Sequence, residues 1–395
     1  MLVAGSILST IIIGFFVPKK FLGKYFILCA LLLSSLYFFF IPSKDFDLYR
    51  HYQTMYFMKF ISWKDLLEFK AIDIGDYLLK EYSRNYPGYC LYAYAIGKIG
   101  VKELLPVITG IIVYGLPILI LTKIGYKKNI EKWKLLLGYI FIVFNIDFLS
   151  ISGIRNILAT TIFSYVLYLD LIKKKNRILC FGAYAVICTI HSMGVMLLAF
   201  RLILFFYSRR SNNRFINLIL IVVFFSMQRI TEILISNINS NSIIGGIIYR
   251  ALDSFILYSE NGTENSIFIQ GTAAALYFLC FIICKFFKKY SSNFNDYKEW
   301  YQYIMIIFSY ILSAVPMRDI FMRFRLILFV LMIPIIVEIS SEFFGKRIFS
   351  IKRINKNNIS QYSILIEIII FIEIFFSFLI NIYLRYLAID MNFLI

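Results

Sequence analysis

Long apolar runs separated by short polar turns repeat from one end of this chain to the other. A membrane-crossing helix needs about 20 apolar residues. On that ruler, runs stand at Leu2–Val17, Tyr25–Ile41, Leu104–Leu121, Lys134–Leu149, Asn156–Ile172 and Ile178–Ile190. Further runs follow at Met193–Tyr207, Phe215–Ile235, Ser266–Phe287, Trp300–Pro316, Phe324–Ile339 and Ser363–Tyr383. The pattern predicts an all-α polytopic membrane protein, residues 1–395 forming a single integral domain with about twelve crossings. Pro87–Gly100 is apolar but short, and reads as a re-entrant or interfacial helix. The run from Leu2 has neither a basic flank nor a small-residue cleavage site, so it is read as a first span, not a removable signal.

Two stretches break the pattern. Residues 42–86 hold too many charges to cross a membrane and too many aromatics for disorder, which predicts short helices lying on its surface. Residues 236–265 read as a second polar loop on the same face.

Composition agrees with the pattern: 60% of residues are hydrophobic and mean hydropathy is +0.77. The net charge of +18 changes the picture through its distribution. Lys19/Lys20/Lys24, Lys123 to Lys134, Lys173 to Arg177, Arg209/Arg210/Arg214, Lys285/Lys288/Lys289 and Lys346 to Lys356 occupy alternate turns. The positive-inside rule makes that face cytoplasmic. Both termini, 42–86, Arg155, His191, 236–265 and Met317–Arg325 then fall outside. Basic residues clustered in short turns, with no basic face interleaved with exposed aromatics, argue against nucleic acid as a partner. The six cysteines form no CxxC pair and have no histidine at ligand spacing, so neither zinc nor a disulfide framework is expected. No metal site and no cofactor are expected.

Candidate chemistry centres on Ser150–Arg201. Two apolar helices there form a hairpin with a basic turn, which brings Arg155 and His191 to the opposite face. Arg155 either snorkels to headgroups or binds an anion through its planar fork. Arg318, Arg323 and Arg325 crowd one outer mouth beside Asp319, and with Arg155 they resemble a clamp for a diphosphate; headgroup anchoring is the plain alternative. His191 is either a packing residue or a proton carrier near neutral pH. Asp47 belongs to an Asp-x-Asp pair with Asp45, and Tyr49 and Tyr52 follow it along one helix side, a face suited to sugar. A solvated loop acid explains Asp47 equally simply.

Taken in order, Asp-Leu-Tyr-x-x-Tyr (47–52), Pro-Gly-Tyr (87–89), Gly-Ile-Arg-Asn-Ile-Leu-Ala (153–159), His191-Ser192 and Arg323-Phe-Arg325 resemble the EpsG-like branch of bacterial polysaccharide polymerases. That branch includes many Wzy O-antigen and capsule polymerases. Two departures stand out. The family usually has Arg-Gln where this chain has Arg155-Asn156, and an acid where Tyr86 precedes Pro-Gly-Tyr. The resemblance implies a GT-C-like glycosyltransferase in the bacterial inner membrane, with its active site facing the periplasm or exterior. It would join oligosaccharide repeat units carried on undecaprenyl diphosphate. It implies Arg155, Arg323 and Arg325, with Arg318, on the diphosphate; Asp47, His191 and Asp319 as candidate bases; and Tyr49, Tyr52 and Asn156 toward sugar. The implied partners are the lipid-linked donor and acceptor and membrane lipids, with a chain-length regulator left open. A flippase of the same lipid-linked sugars is the main rival, disfavoured because the unusual charges all read as outward. A membrane acyltransferase needs a cytoplasmic donor, whereas His191 reads as outward.

Overall fold

The computed structural model describes residues 2–44, 46–67, 86–146, 151–207, 213–238, 243–260, 267–315, 318–343, 368–375 and 377. Among these, every regular element is helical. Uninterrupted apolar sequence is the reason. Such a segment must satisfy its own N–H and C=O groups, and only a helix does so within one run of chain.

Helices α1 (Leu2–Phe16) and α2 (Leu22–Ser35) form the first hairpin. In the stretch expected to hold short helices lie α3 (Asp47–Met58) and α4 (Trp63–Leu67), while 68–85 is outside the described residues. α5 (Pro87–Gly97) opens on a proline, whose missing N–H is an orphan at a helix start anyway. α6 (Leu104–Lys127), α7 (Lys132–Asn145) and α8 (Ile154–Leu167) follow, and α8 widens into a π turn at Tyr168–Ile172. The central hairpin is α9 (Arg177–Cys188) and α10 (Ser192–Tyr207). α11 (Asn213–Phe225) and α12 (Met227–Asn237) come next. The expected loop 236–265 is mostly helical, as α13 (Ile243–Glu260). α14 (Ile267–Tyr290), α15 (Lys298–Ser313) and α16 (Arg318–Phe343) precede a helical segment at 368–375.

Among the described residues, three helices are long and apolar enough to cross a membrane: Lys19–Phe39, Leu104–Lys127 and Arg323–Ser341. Gly5–Phe16, Arg177–Cys188 and Ser192–Phe205 are apolar but shorter. The sequence ruler counted apolar runs, whereas helices end earlier where turns pull residues out. α7, with 14 residues, reaches only about 21 Å at 1.5 Å per residue. The run at Ser363–Tyr383 lies mostly outside the described residues.

α16 is the hub. Its middle turns, 326–337, are apolar on every side, and it packs against α6, α7, α8, α13, α14 and α15, the pattern of an interior helix. Outward-facing side chains are also apolar, with Phe16 81%, Ile178 82% and Leu179 72% exposed. Such an exterior is far better solvated by hydrocarbon than by water.

The bundle has two chemically different ends. At one, basic turns converge: Lys19 Nζ donates to Asn129 Oδ1 at 2.7 Å, and Arg177 lies 4.0 Å from Glu299. There Glu338, wholly buried, accepts from Lys128 Nζ at 2.7 Å, Asn293 Nδ2 at 2.7 Å and Tyr297 Oη at 3.1 Å. The starts of α8, α10 and α16 mark the other end.

Charge is also found inside the bundle, which corrects the expectation that unusual charges all sit outward. The π turn sets Asp170 against Arg201 of α10, with Nε to Oδ2 at 2.8 Å, and Tyr184 Oη donates to the same oxygen at 3.2 Å. The Ser377 Oγ lies 3.1 Å from Oε1 of buried Glu373 and 2.9 Å from Oδ1 of Asn145 on α7, so one hydroxyl hydrogen serves the two oxygens.

Candidate functional site

The turn between α9 and α10 holds His191 in place. Gly194 makes the close crossing possible, because a Cβ there would come within 2.8 Å of the Ile187 carbonyl oxygen. His191 is buried, and its Nδ1 accepts from the Met193 backbone N–H at 3.0 Å. A ring nitrogen that accepts carries no proton, so the neutral ring is protonated at Nε2.

α5 is docked onto this turn. The Gly88 N–H donates to the Thr189 carbonyl at 3.1 Å, and a Cβ at Gly88 would press on the Thr189 hydroxyl and sit 3.3 Å from its carbonyl carbon. This contact lays the Tyr86 ring on the His191 ring, with centroids 5.9 Å apart and planes 10° from parallel. The Arg155 guanidinium, from the first turn of α8, lies 4.8 Å from the Tyr86 ring centre and 5.7 Å from that of Tyr89. Cation–π contacts of this kind contribute about 0.5–2 kcal/mol each. They fix a fork that otherwise has many rotamers. Tyr89 Oη is 2.6 Å from Nδ1 of His51 on α3, so both histidines of the chain reach one cluster.

Both imidazoles are held neutral. Burial first, then the charges of Arg155, Arg323 and His51, keep His191 well below its usual range. Burial, Arg155 and Arg50 push His51 down to about 3. With the proton on Nε2, His191 is built to donate a hydrogen bond more than to take a proton, which shifts the role expected of it.

The sequence-predicted residues therefore separate. Arg155 reaches His191 through the Tyr86 ring, and the charge of Arg323 falls on the same imidazole. Arg325, expected beside them, is buried, and its charge falls on Tyr277 and Glu373 instead. Two residues apart on a helix means about 200° of rotation, so Arg323 and Arg325 face opposite ways. Arg318 and Asp319 begin α16, but their side chains lie outside the described residues, as does Asp45. Asp47 is exposed at the start of α3, 3.6 Å from Arg50, and stands one turn before His51 on the same side of the helix. Tyr49 is half-buried; Tyr52 is buried with Lys102 5.2 Å from its ring centre, so it faces the start of α6 and not the histidines. Half-buried Asn156 meets Thr160 of its own helix, at 3.5 Å. Among the described residues no group of three His, Cys, Asp or Glu side chains is placed to hold a metal ion.

Sequence reasoning missed His51, Tyr86 and Tyr89 as members of the cluster. One signal was available: a chain with only two histidines places both on stretches read as outer.

Two results are expected from this geometry. Gly88→Ala forces α5 away from Thr189, and overpacking of this kind costs about 1–3 kcal/mol. The thermal midpoint of the purified variant should fall, and an unchanged midpoint would mean that α5 yields freely. The second concerns pH. The unfolded chain protonates both histidines near pH 6.5, whereas the folded chain resists, so the unfolded state binds more protons below that pH. This contribution to stability is whole above about pH 6.5 and is lost as pH falls toward the folded values. The thermal midpoint of purified protein should drop between about pH 7 and pH 5.5, and His51→Gln should flatten the drop. A flat wild-type profile would contradict the neutral histidine pair.

No family model matches this chain, and neither a curated protein nor a solved structure does.

Proposed function

We propose that this chain is a membrane-embedded glycosyltransferase that polymerises undecaprenyl-diphosphate-linked oligosaccharide repeat units at the outer face of the bacterial inner membrane. It is read as an EpsG-like, Wzy-type O-antigen or capsule polymerase with about twelve crossings and a GT-C-like architecture. The observation that carries this reading is the convergence of Arg155, Arg323 and His191, with Tyr86, at the end opposite the basic turns. By the positive-inside rule, that end faces outward.

In the proposed reaction an acceptor sugar hydroxyl attacks the anomeric carbon of the donor. The carbon–oxygen bond to the diphosphate breaks, and the lipid diphosphate leaves with the bonding electrons. Arg155 and Arg323 stabilise the charge that grows on its oxygens, the task for which fixed donors are most effective. His191 Nε2–H adds a neutral donor. The hydroxyl proton passes to a base, for which Asp47, one turn before His51 on α3, is the candidate. Lipid tails reach such a site sideways, between helices.

A polysaccharide ladder from cells lacking the gene tests this directly. A single repeat unit capped on the acceptor supports the polymerase. Failure of any repeat unit to reach the outer face favours the flippase, and an unchanged ladder removes both. The flippase draws one observation from the interior, where buried Glu373 lies within range of the Arg325 charge. Intramembrane charges of that kind mark transport pathways in other proteins.

A further inference from the structure

The lysine-rich end of the bundle carries a feature that the proposed reaction does not use. Between the end of α6, the π turn of α8 and the residues before α15 lies a cavity of about 250 Å³, lined by Lys127, Lys128, Lys173, Lys174, Asp296 and Tyr297. A second cavity, of about 450 Å³, adjoins it through Lys174 and Asp296. Lys128 is neutralised by Glu338, 2.7 Å away. Lys127, Lys173 and Lys174 have no carboxylate within ion-pair distance among the described residues, and Asp296 pairs with none of them.

Lys174 closes α8: at φ 51° it takes the left-handed position that follows a helix C-terminus, and the Lys175 N–H donates to the Leu169 carbonyl at 3.0 Å, which fixes the lysine-rich turn beside the cavity. Burial, followed by the charges of Lys127, Lys123 and Lys175, lowers the affinity of Lys173 for its proton. Mutual repulsion among ammonium groups is relieved by an anion seated between them, and lysine binds phosphate as a point charge.

We infer that the cavity between Lys127, Lys173 and Lys174 binds a phosphate-bearing anion, at the opposite end of the bundle from the His191 cluster. The chemistry is shared by two sources, the headgroup of an anionic lipid and a soluble phosphate compound. The site stands independently of the polymerase reading, because it depends on none of that site's residues.

The test uses full-length protein carrying Arg155→Ala and Arg323→Ala, so that binding at the other end does not contribute. Thermal unfolding is followed against inorganic pyrophosphate in detergent, and separately in lipid nanodiscs of phosphatidylcholine with and without phosphatidylglycerol. A saturable rise in midpoint is expected with at least one probe. Lys127→Gln with Lys174→Gln, both at exposed positions, should weaken it at least tenfold. A rise with pyrophosphate assigns a soluble compound; a rise only with phosphatidylglycerol assigns a headgroup. Lys174→Gly, which removes the charge and suits the φ, provides a second variant, and the same titrations on protein with native Arg155 and Arg323 guard against loss of folding. No saturable rise with either probe, or equal responses with and without the lysine substitutions, would overturn the site.

Discussion

On the proposed reaction, Arg155→Ala should reduce polymerisation by about 10²–10³-fold, the loss seen when one fixed donor to a developing anion is removed. On a gel resolving chain length, the product should collapse to a single repeat unit, while the amount of protein in the membrane stays unchanged. Arg155→Lys should restore little, because an ammonium can neither form two parallel bonds to a phosphate nor stack flat against Tyr86 and Tyr89. The same substitution has a second readout. Arg155 is a cause, after burial, of the depressed basicity of both His191 and His51, so its removal should shrink the loss of stability on acidification. A normal long ladder from Arg155→Ala would end the clamp hypothesis.

Arg201→Met is expected to have the largest effect on stability. It leaves the Asp170 carboxylate buried with Tyr184 as its remaining donor, and breaking a buried pair in this way costs roughly 3–5 kcal/mol. One oxygen of Asp170, Oδ1, has no hydrogen-bond partner among the described residues, so the carboxylate depends heavily on the contacts to Oδ2. Asp170→Asn combined with Arg201→Met removes both charges and should recover most of the loss. Thermal unfolding in detergent separates the three proteins. A single variant as stable as wild type would show that water or a neighbouring group already compensates the charge.

The parts of the fold that were legible in the sequence share one property: their apolar run is continuous. α6 and α16 were both anticipated because nothing polar interrupts them for long. α13 was not, because Ser236–Asn241 and Asn261–Asn265 gave its surroundings a loop-like composition. Its apolar residues Ile244, Ile247, Ile248, Ala251 and Phe255 nevertheless recur at helical spacing. At the site, Arg155 and His191 were readable together because a hairpin of two similar helices returns the chain to its starting level. His51 was not readable, since its contact with Tyr89 spans a stretch of chain with no periodic signal. Arg325 was grouped with Arg323 by nearness in sequence, whereas two residues along a helix turn it to the opposite side. Asp170 and Arg201 were overlooked for the opposite reason: each looks like an isolated charge in an apolar run, and only packing reveals the pair.

The buried carboxylate of Glu338 has a consequence for how the molecule is made. Lys128 lies 210 residues before it, and Asn145 lies 232 residues before its donor Ser377. At about 5–20 residues per second, Lys128 waits roughly 10–40 s after its own synthesis for the group that neutralises it. The first half of the chain is therefore released into the bilayer with polar groups that only the last third can satisfy. A chain that stops before α16 keeps Lys128 and Asn145 without the partners that Glu338 and Ser377 supply in the finished bundle.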